Sequence, residues 1–390
     1  MSILTRVGRL SAGIAFGLAM AAGQASAQNT INIGFTGPLS GGAALYGKNT
    51  LSGLQMAVDE VNAEGGVEIN GKKHKLNVVA LDDKYSPAEA AVNGRRLRQE
   101  HKAAVVFIPH FGGTMALQAF NEREGFLIAS YTSIPTVNER GNKLTLRIPP
   151  SFLGYMKPFS KITMERFGNK VAIANATHDY AKAWTKAFVP TWEAMGGEVV
   201  GDNPMDYNKD TDFYSGVSRV LAGKPDVLFI GGASEPTALV AKQARELGFK
   251  GGFIIMDQAK MDEMAKVIGG YGPLEGSVGV VPLVDYGTEA TQSFVERYRK
   301  IHKSDPGSEA GLNYFAAHLI IEAMRQAGTG TDAMAIRAKL DDAIKALSPK
   351  HNIYEMDGID ETGAILGDMN VATVRDGKVV RVRSSELFDD

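Results

Sequence analysis

The feature that most constrains this chain is a succession of short apolar runs, each followed by a small-residue loop and then a helical stretch, beginning at Ile31. Ile31-Asn32-Ile33-Gly34-Phe35 alternates as a strand does, and Thr36-Gly37-Pro38-Leu39-Ser40-Gly41-Gly42 breaks the alternation. Leu51, Leu54, Val58 and Val61 then recur at spacings of three, four and three, one face of a helix capped near Asn49 or Thr50 and stopped by Gly65-Gly66. Strands are expected again at 76–81, 104–108 and 127–129, with helical segments at 87–100 and 114–124 between them. Such a βαβ series gives a parallel sheet with helices on both faces.

A second series starts beyond Arg147-Ile148-Pro149-Pro150, where the prolines forbid helix and favour an extended crossing. Strands at 171–174, 227–230 and 253–255 alternate with helices around Trp184, Tyr214 and Val240. After an apolar run at 278–283, the stretch 289–347 is helix-rich without a strand of its own, so it is expected to return to the first lobe. Residues 371–374 and 379–382, around Asp376-Gly377, read as a hairpin. The expected division is a first lobe of 28–147 with 283–355 and a second of 148–282 with 356–390. In open α/β sheets ligands sit outside the carboxyl ends of the strands, and two such ends facing each other define a closable cleft.

The first 27 residues read as a secretory leader: Arg6 and Arg9, an apolar run from Leu10 to Ala22, and Ala25-Ser26-Ala27 before Gln28. The run is shorter than the roughly 20 residues of a spanning helix and carries Ser11, Gly13 and Gly17, so cleavage rather than anchoring is expected, leaving the mature chain in the periplasm. About 363 residues then remain, enough for two domains. The formal charge of -2, about -4 without the leader, gives no electrostatic case for nucleic acid or an anionic membrane. With 0 Cys, disulfides, thiol catalysis and thiolate metal sites are excluded.

The ordered set Gly37-Pro38-Leu39-Ser40-Gly41, Tyr46-Gly47, Gly53, Ala57, Val61-Asn62, Gly65-Gly66, Asn70-Gly71-Lys72, Asp82-Asp83 and Pro87 resembles the periplasmic leucine/isoleucine/valine-binding protein family. The likeness continues through Glu124-Gly125, Arg140-Gly141, Gly231-Gly232 and Ala244-Arg245-Glu246-Leu247-Gly248. It implies the type I periplasmic-binding-protein fold: α/β, two Rossmann-like lobes with parallel sheets joined by three hinge crossings. It further implies a solute receptor of an ABC importer, with an inner-membrane permease as partner, no cofactor and no catalysis.

Carried over by position, the family site falls on the loops after the strands. Tyr46 keeps the tyrosine before the first helix. The loop that offers serine to the ligand carboxylate reads Pro109-His110-Phe111-Gly112-Gly113-Thr114, leaving Thr114 and the N–H groups of Gly112 and Gly113 as donors. The next reads Ser130-Tyr131-Thr132-Ser133, with Ser133 as the surviving hydroxyl. In the second lobe a tyrosine is kept as Tyr180, another has become Ala233, and the acid that pairs with the α-ammonium falls at Gln258. Gln258 supplies no charge; Asp257 does if the register moves by one. A buried ammonium without a partner costs several kcal/mol, so this set is expected to take a carboxylate lacking an α-ammonium, preferably aromatic, with Phe111 and Tyr131 against its ring. An amino-acid ligand is the alternative.

The same residues have plainer readings. Phe111 and Tyr131 can be core aromatics, and His110 and His178 lack metal-ligand spacing and read as structural. Gly66 to Lys72 spells G-x-x-x-x-G-K, but Lys73 replaces the Ser or Thr of a P-loop, so a turn is expected. No H-E-x-x-H, G-x-G-x-x-G or G-x-S-x-G occurs, and a sensor role would use the same receptor.

Overall fold

The computed structural model describes residues 30–41, 43–207, 209–367 and 369–388, so the expected leader and Gln28 lie outside the described residues. The first series consists of β1 (Thr30–Gly37), α1 (Ala44–Ala63), β2 (Val67–Ile69), β3 (Lys72–Asp82), α2 (Pro87–Gln99), β4 (Val105–Ile108), α3 (Phe111–Gln118), α4 (Asn121–Glu124), β5 (Leu127–Ser130), α5 (Thr136–Glu139) and β6 (Thr145–Arg147). They build a six-stranded sheet in the order β2-β3-β1-β4-β5-β6, parallel except for the β2–β3 pair. β4 and β5 are buried along their whole length, as strands covered on both faces must be. The G-x-x-x-x-G-K stretch is the β2–β3 hairpin, whose Asn70 and Gly71 both take positive φ, as a tight two-residue turn demands.

The second series runs α6 (Leu153–Phe167), β7 (Lys170–Ile173), α7 (Asp179–Ala194), β8 (Glu198–Asp202), α8 (Tyr214–Leu221), β9 (Val227–Ile230), α9 (Ser234–Glu246), β10 (Gly252–Ile255), α10 (Met261–Ile268) and β11 (Ser277–Val280). The chain then forms α11 (Glu289–His302), α12 (Ser308–Ala327), α13 (Ala333–Ala346), β12 (Gly358–Ile359), β13 (Ile365–Leu366), β14 (Asn370–Arg375) and β15 (Lys378–Arg383). A second sheet has the order β15-β14-β11-β10-β9-β7-β8, with the terminal hairpin β14–β15 added antiparallel to a parallel core. The two α/β halves, each built on a largely parallel sheet, are the two-lobe arrangement expected from the sequence.

Helix α12 returns to the first sheet and is buried on nearly every side, packed between α1 and α13. The contact with α1 requires Gly53: a Cβ there would stand 1.9 Å from the Ala310 carbonyl oxygen. Residues 358–366, placed by the sequence in the second lobe, meet the first instead. Arg147 bridges to Ala364, and the Asn138 amide donates to the Thr362 carbonyl at 2.9 Å.

Two helix starts differ from the pattern read in the sequence. α1 begins at Ala44, before the expected cap, because Gly47 lets the Pro38 carbonyl approach where a Cβ would be only 1.9 Å away. The helix expected at 114–124 is two, broken at Phe120, which turns inward against Phe126 while Asn121 bonds the Phe126 and Leu144 carbonyls.

Candidate functional site

In each sheet the strand order reverses beside the first strand of its series: β1 lies between β3 and β4, and β7 between β8 and β9. Segments that follow β5, β6, β10 and β11 line a partly open cavity of about 80 Å³ between the two sheets. Its wall includes Tyr131, Tyr155, Asp257, Lys260, Tyr286 and Tyr354. A larger depression of about 520 Å³, lined by Arg166, Lys224 and Lys250, is shallow and lies at the opposite, amino ends of β7, β9 and β10. Position at the carboxyl ends and a lining drawn from both halves make the smaller cavity the candidate site.

Asp257, two residues past β10, is its polar centre. Oδ2 accepts from Ser133 Oγ at 2.6 Å, and Oδ1 accepts from Tyr180 Oη at 2.6 Å and from Trp184 Nε1 at 3.1 Å. Ser133 Oγ and Tyr180 Oη are themselves 2.5 Å apart. The three groups form a compact polar cluster that joins the two halves. Burial pushes the Asp257 carboxyl above its ordinary range, against the hydrogen bonds from Ser133 and Tyr180 and the charge of Lys260, so protonation is in the direction the environment favours.

Lys260 is buried, and its ammonium donates to the Asp257 and Gln258 carbonyls, each at 3.0 Å. Of its three N–H groups one remains available. Burial raises the Tyr131, Tyr155 and Tyr180 hydroxyls well above their ordinary value, so they stay protonated donors at neutral pH.

The sequence-derived residues divide. Tyr131 lines the cavity, Ser133 and Tyr180 hold Asp257, and Tyr46, within the first turn of α1, packs its ring 6.1 Å from Tyr131 while donating to the Pro109 carbonyl at 2.5 Å. The loop at the start of α3 is committed to structure. The Gly113 N–H donates to His110 Nδ1, and Thr114 is bonded to Ser130 and the His110 carbonyl. Gly112 faces Pro87, Phe111 packs partly buried against the core, and none of the four is on the cavity wall. His110 is a buried partner of Asp83 at 3.0 Å, the structural role expected of it. Ala233 is exposed ahead of α9. Gln258 turns toward His178, and Asp257 takes the cavity position.

Sequence reasoning did not single out Tyr155, Lys260, Tyr286 or Tyr354. Lys260 stood in the same loop as Gln258; Tyr286 and Tyr354 flank the return segment and come into place only through the docking of α12. Outside the cleft, Glu60, His318 and His351 bring ligand atoms within 4.8 Å of one another. The two imidazoles stack in parallel planes 3.7 Å apart, so their lone pairs cannot both meet one ion in plane, and Arg297 already pairs with Glu60. This cluster is a packed polar core.

Residues 30–378 match the family described as periplasmic binding protein. The chain belongs to that family. A Leu/Ile/Val-binding protein of Rhizobium johnstonii is 28% identical over 316 residues, 80% of this chain and 83% of its own length. The branched-chain amino acid transporter substrate-binding protein of Streptococcus pneumoniae, solved in complex with isoleucine, superposes with a TM-score of 0.76 at 24% identity over 91% of this chain and 99% of that one. A solute-binding protein of an ABC transporter from R. palustris, in complex with benzoate, gives 0.73 at 18% identity over 91% and 96%. The family resemblance read in the sequence is borne out, as is the fold it implied.

Proposed function

We propose that this periplasmic binding protein is the solute receptor of an ABC importer, exported through residues 1–27 and delivering its ligand to an inner-membrane permease, and that the lobes close on a small amino acid. The observation that carries the ligand class is Asp257 on the cavity wall. A carboxylate offers about four acceptor positions, and Ser133, Tyr180 and Trp184 occupy three, leaving one on Oδ2 for a ligand ammonium. The ground for an acid without an ammonium was Gln258 at the counter-charge position, and Asp257 supplies the charge that Gln258 lacks. The free N–H of Lys260 and the hydroxyls of Tyr131 and Tyr155 are donors for the ligand carboxylate.

A second reading, an aromatic carboxylate without an ammonium, is favoured by the tyrosine-rich wall and agrees with the benzoate complex of the R. palustris protein. Calorimetry of the purified chain with leucine, lysine and benzoate separates the two. Binding of an amino acid with no binding of benzoate is expected, and the reverse result would replace the first reading by the second.

A further inference from the structure

The terminal hairpin has had no part in the site so far, yet Asn370, the first residue of β14, lies on the cavity wall with Tyr286 and Tyr354. Arg381, on the paired strand β15, is not on that wall but reaches all three of its segments. Its Nε donates to Asn370 Oδ1 at 2.7 Å, and its Nη1 donates to the Tyr286 carbonyl. The guanidinium carbon stands 4.4 Å from the centre of the Tyr286 ring. Nη2 is 3.5 Å from Oε2 of Glu355, the neighbour of Tyr354.

From Arg381 the contacts run on into the wall. The Asn370 amide, its oxygen held by the guanidinium, donates to Tyr286 Oη at 2.7 Å. Tyr286 Oη donates in turn to the Tyr354 carbonyl at 3.4 Å, and the two rings meet edge to face with centres 5.2 Å apart. Tyr286 is therefore fixed at its backbone and ring face by Arg381 directly, and at its hydroxyl through Asn370. Neither tyrosine lies in a helix or strand, so their side-chain positions depend on such neighbours. The planar guanidinium is suited to the task, because its fork serves several acceptors in fixed directions while its face covers a ring, which a single ammonium cannot do.

We propose that Arg381 is a positioning residue of the solute site: from outside the cavity it holds the wall formed by Tyr286 and Tyr354 in the shape that receives the ligand. This rests on the cavity as the solute site and applies to either ligand class. Calorimetry with leucine, lysine and benzoate identifies a ligand of the unmutated chain. That ligand is then titrated into Arg381→Met, Tyr286→Ala and the double variant, with thermal melting to verify that each folds. Arg381→Met is expected to weaken binding about tenfold, the scale of coupling between groups in contact, and to cause no further loss once Tyr286 is replaced by alanine. An arginine that only stabilised the hairpin would act equally in both backgrounds. Binding by Arg381→Met within about twofold of the unmutated chain, or an equal loss in both backgrounds, would overturn the assignment while leaving the cavity as the site. Failure of the unmutated chain to bind any of the three would overturn both. If Arg381→Met does not fold, Arg381→Lys, which keeps the charge but not the fork, is judged by the same two criteria.

Discussion

Ser133 Oγ, on the loop after β5, donates to Asp257 Oδ2, on the loop after β10, at 2.6 Å, and the bond ties one half of the molecule to the other. Neither residue has a short-range reason to meet the other, being 124 positions apart. Tyr180 completes the cluster from the second half, so a single buried carboxyl organises the cleft.

Asp257→Asn separates the two ligand readings. The substitution keeps the shape and removes the charge, so an amino acid loses its counter-ion and its affinity should fall at least tenfold, at about 1.5–3 kcal/mol for a charge-assisted bond. Benzoate affinity should hold or rise. Titration calorimetry of both ligands on the variant checks this, and undiminished amino-acid binding would remove Asp257 from the ammonium site.

The pH dependence follows from the direction of the Asp257 shift. Burial raises its folded-state pKa above the ordinary 3.8, so between the two values the folded chain binds more protons than the unfolded one. Its contribution to stability is therefore present at low pH and is lost as pH rises through the folded pKa. Ammonium binding needs the ionised form, so amino-acid affinity should weaken as pH falls through that range, with a proton released on binding at and below the folded pKa and none well above it. Calorimetry in buffers of different ionisation enthalpy measures the released proton, and Asp257→Asn should abolish it.

The cross-cleft cluster also predicts lobe behaviour. If the crossings hinge, Ser133→Ala should favour the open form, because it removes the bond that joins the halves. Solution scattering should give a larger radius for the variant, and a saturating ligand should shrink the unmutated particle without changing the structure within either lobe. Equal radii with and without ligand would argue against closure.

Gly53→Ala tests the docking of the return helix. The added methyl would stand 1.9 Å from the Ala310 carbonyl, a backbone atom that cannot swing aside, so α1 and α12 must separate. A loss of about 1–3 kcal/mol is expected in chemical denaturation. The same separation would shift Ser308 and Leu312 on the cavity wall, so ligand affinity should fall with it.

The sequence by itself determined the repeating βαβ order, the terminal hairpin and the family, because each follows from local period, turn chemistry or an ordered set of glycines and charges. Tyr46, Tyr131, Ser133 and Tyr180 were reachable through the family resemblance, since they lie on the loops after strands or in the first turn of the helix that follows. The choice between Asp257 and Gln258 was not. It depends on how the chain turns after β10, where the Ala259 N–H closes back on the Met256 carbonyl, and a shift of one residue there exchanges the wall for the back of the loop. Tyr286, Tyr354 and Ser308 were decided by tertiary structure alone. They sit on or beside a segment whose helical pattern says only that it must be buried; which sheet it covers, and therefore which side chains reach the cleft, is set by the close approach of α12 to Gly53 more than 250 residues away in the chain.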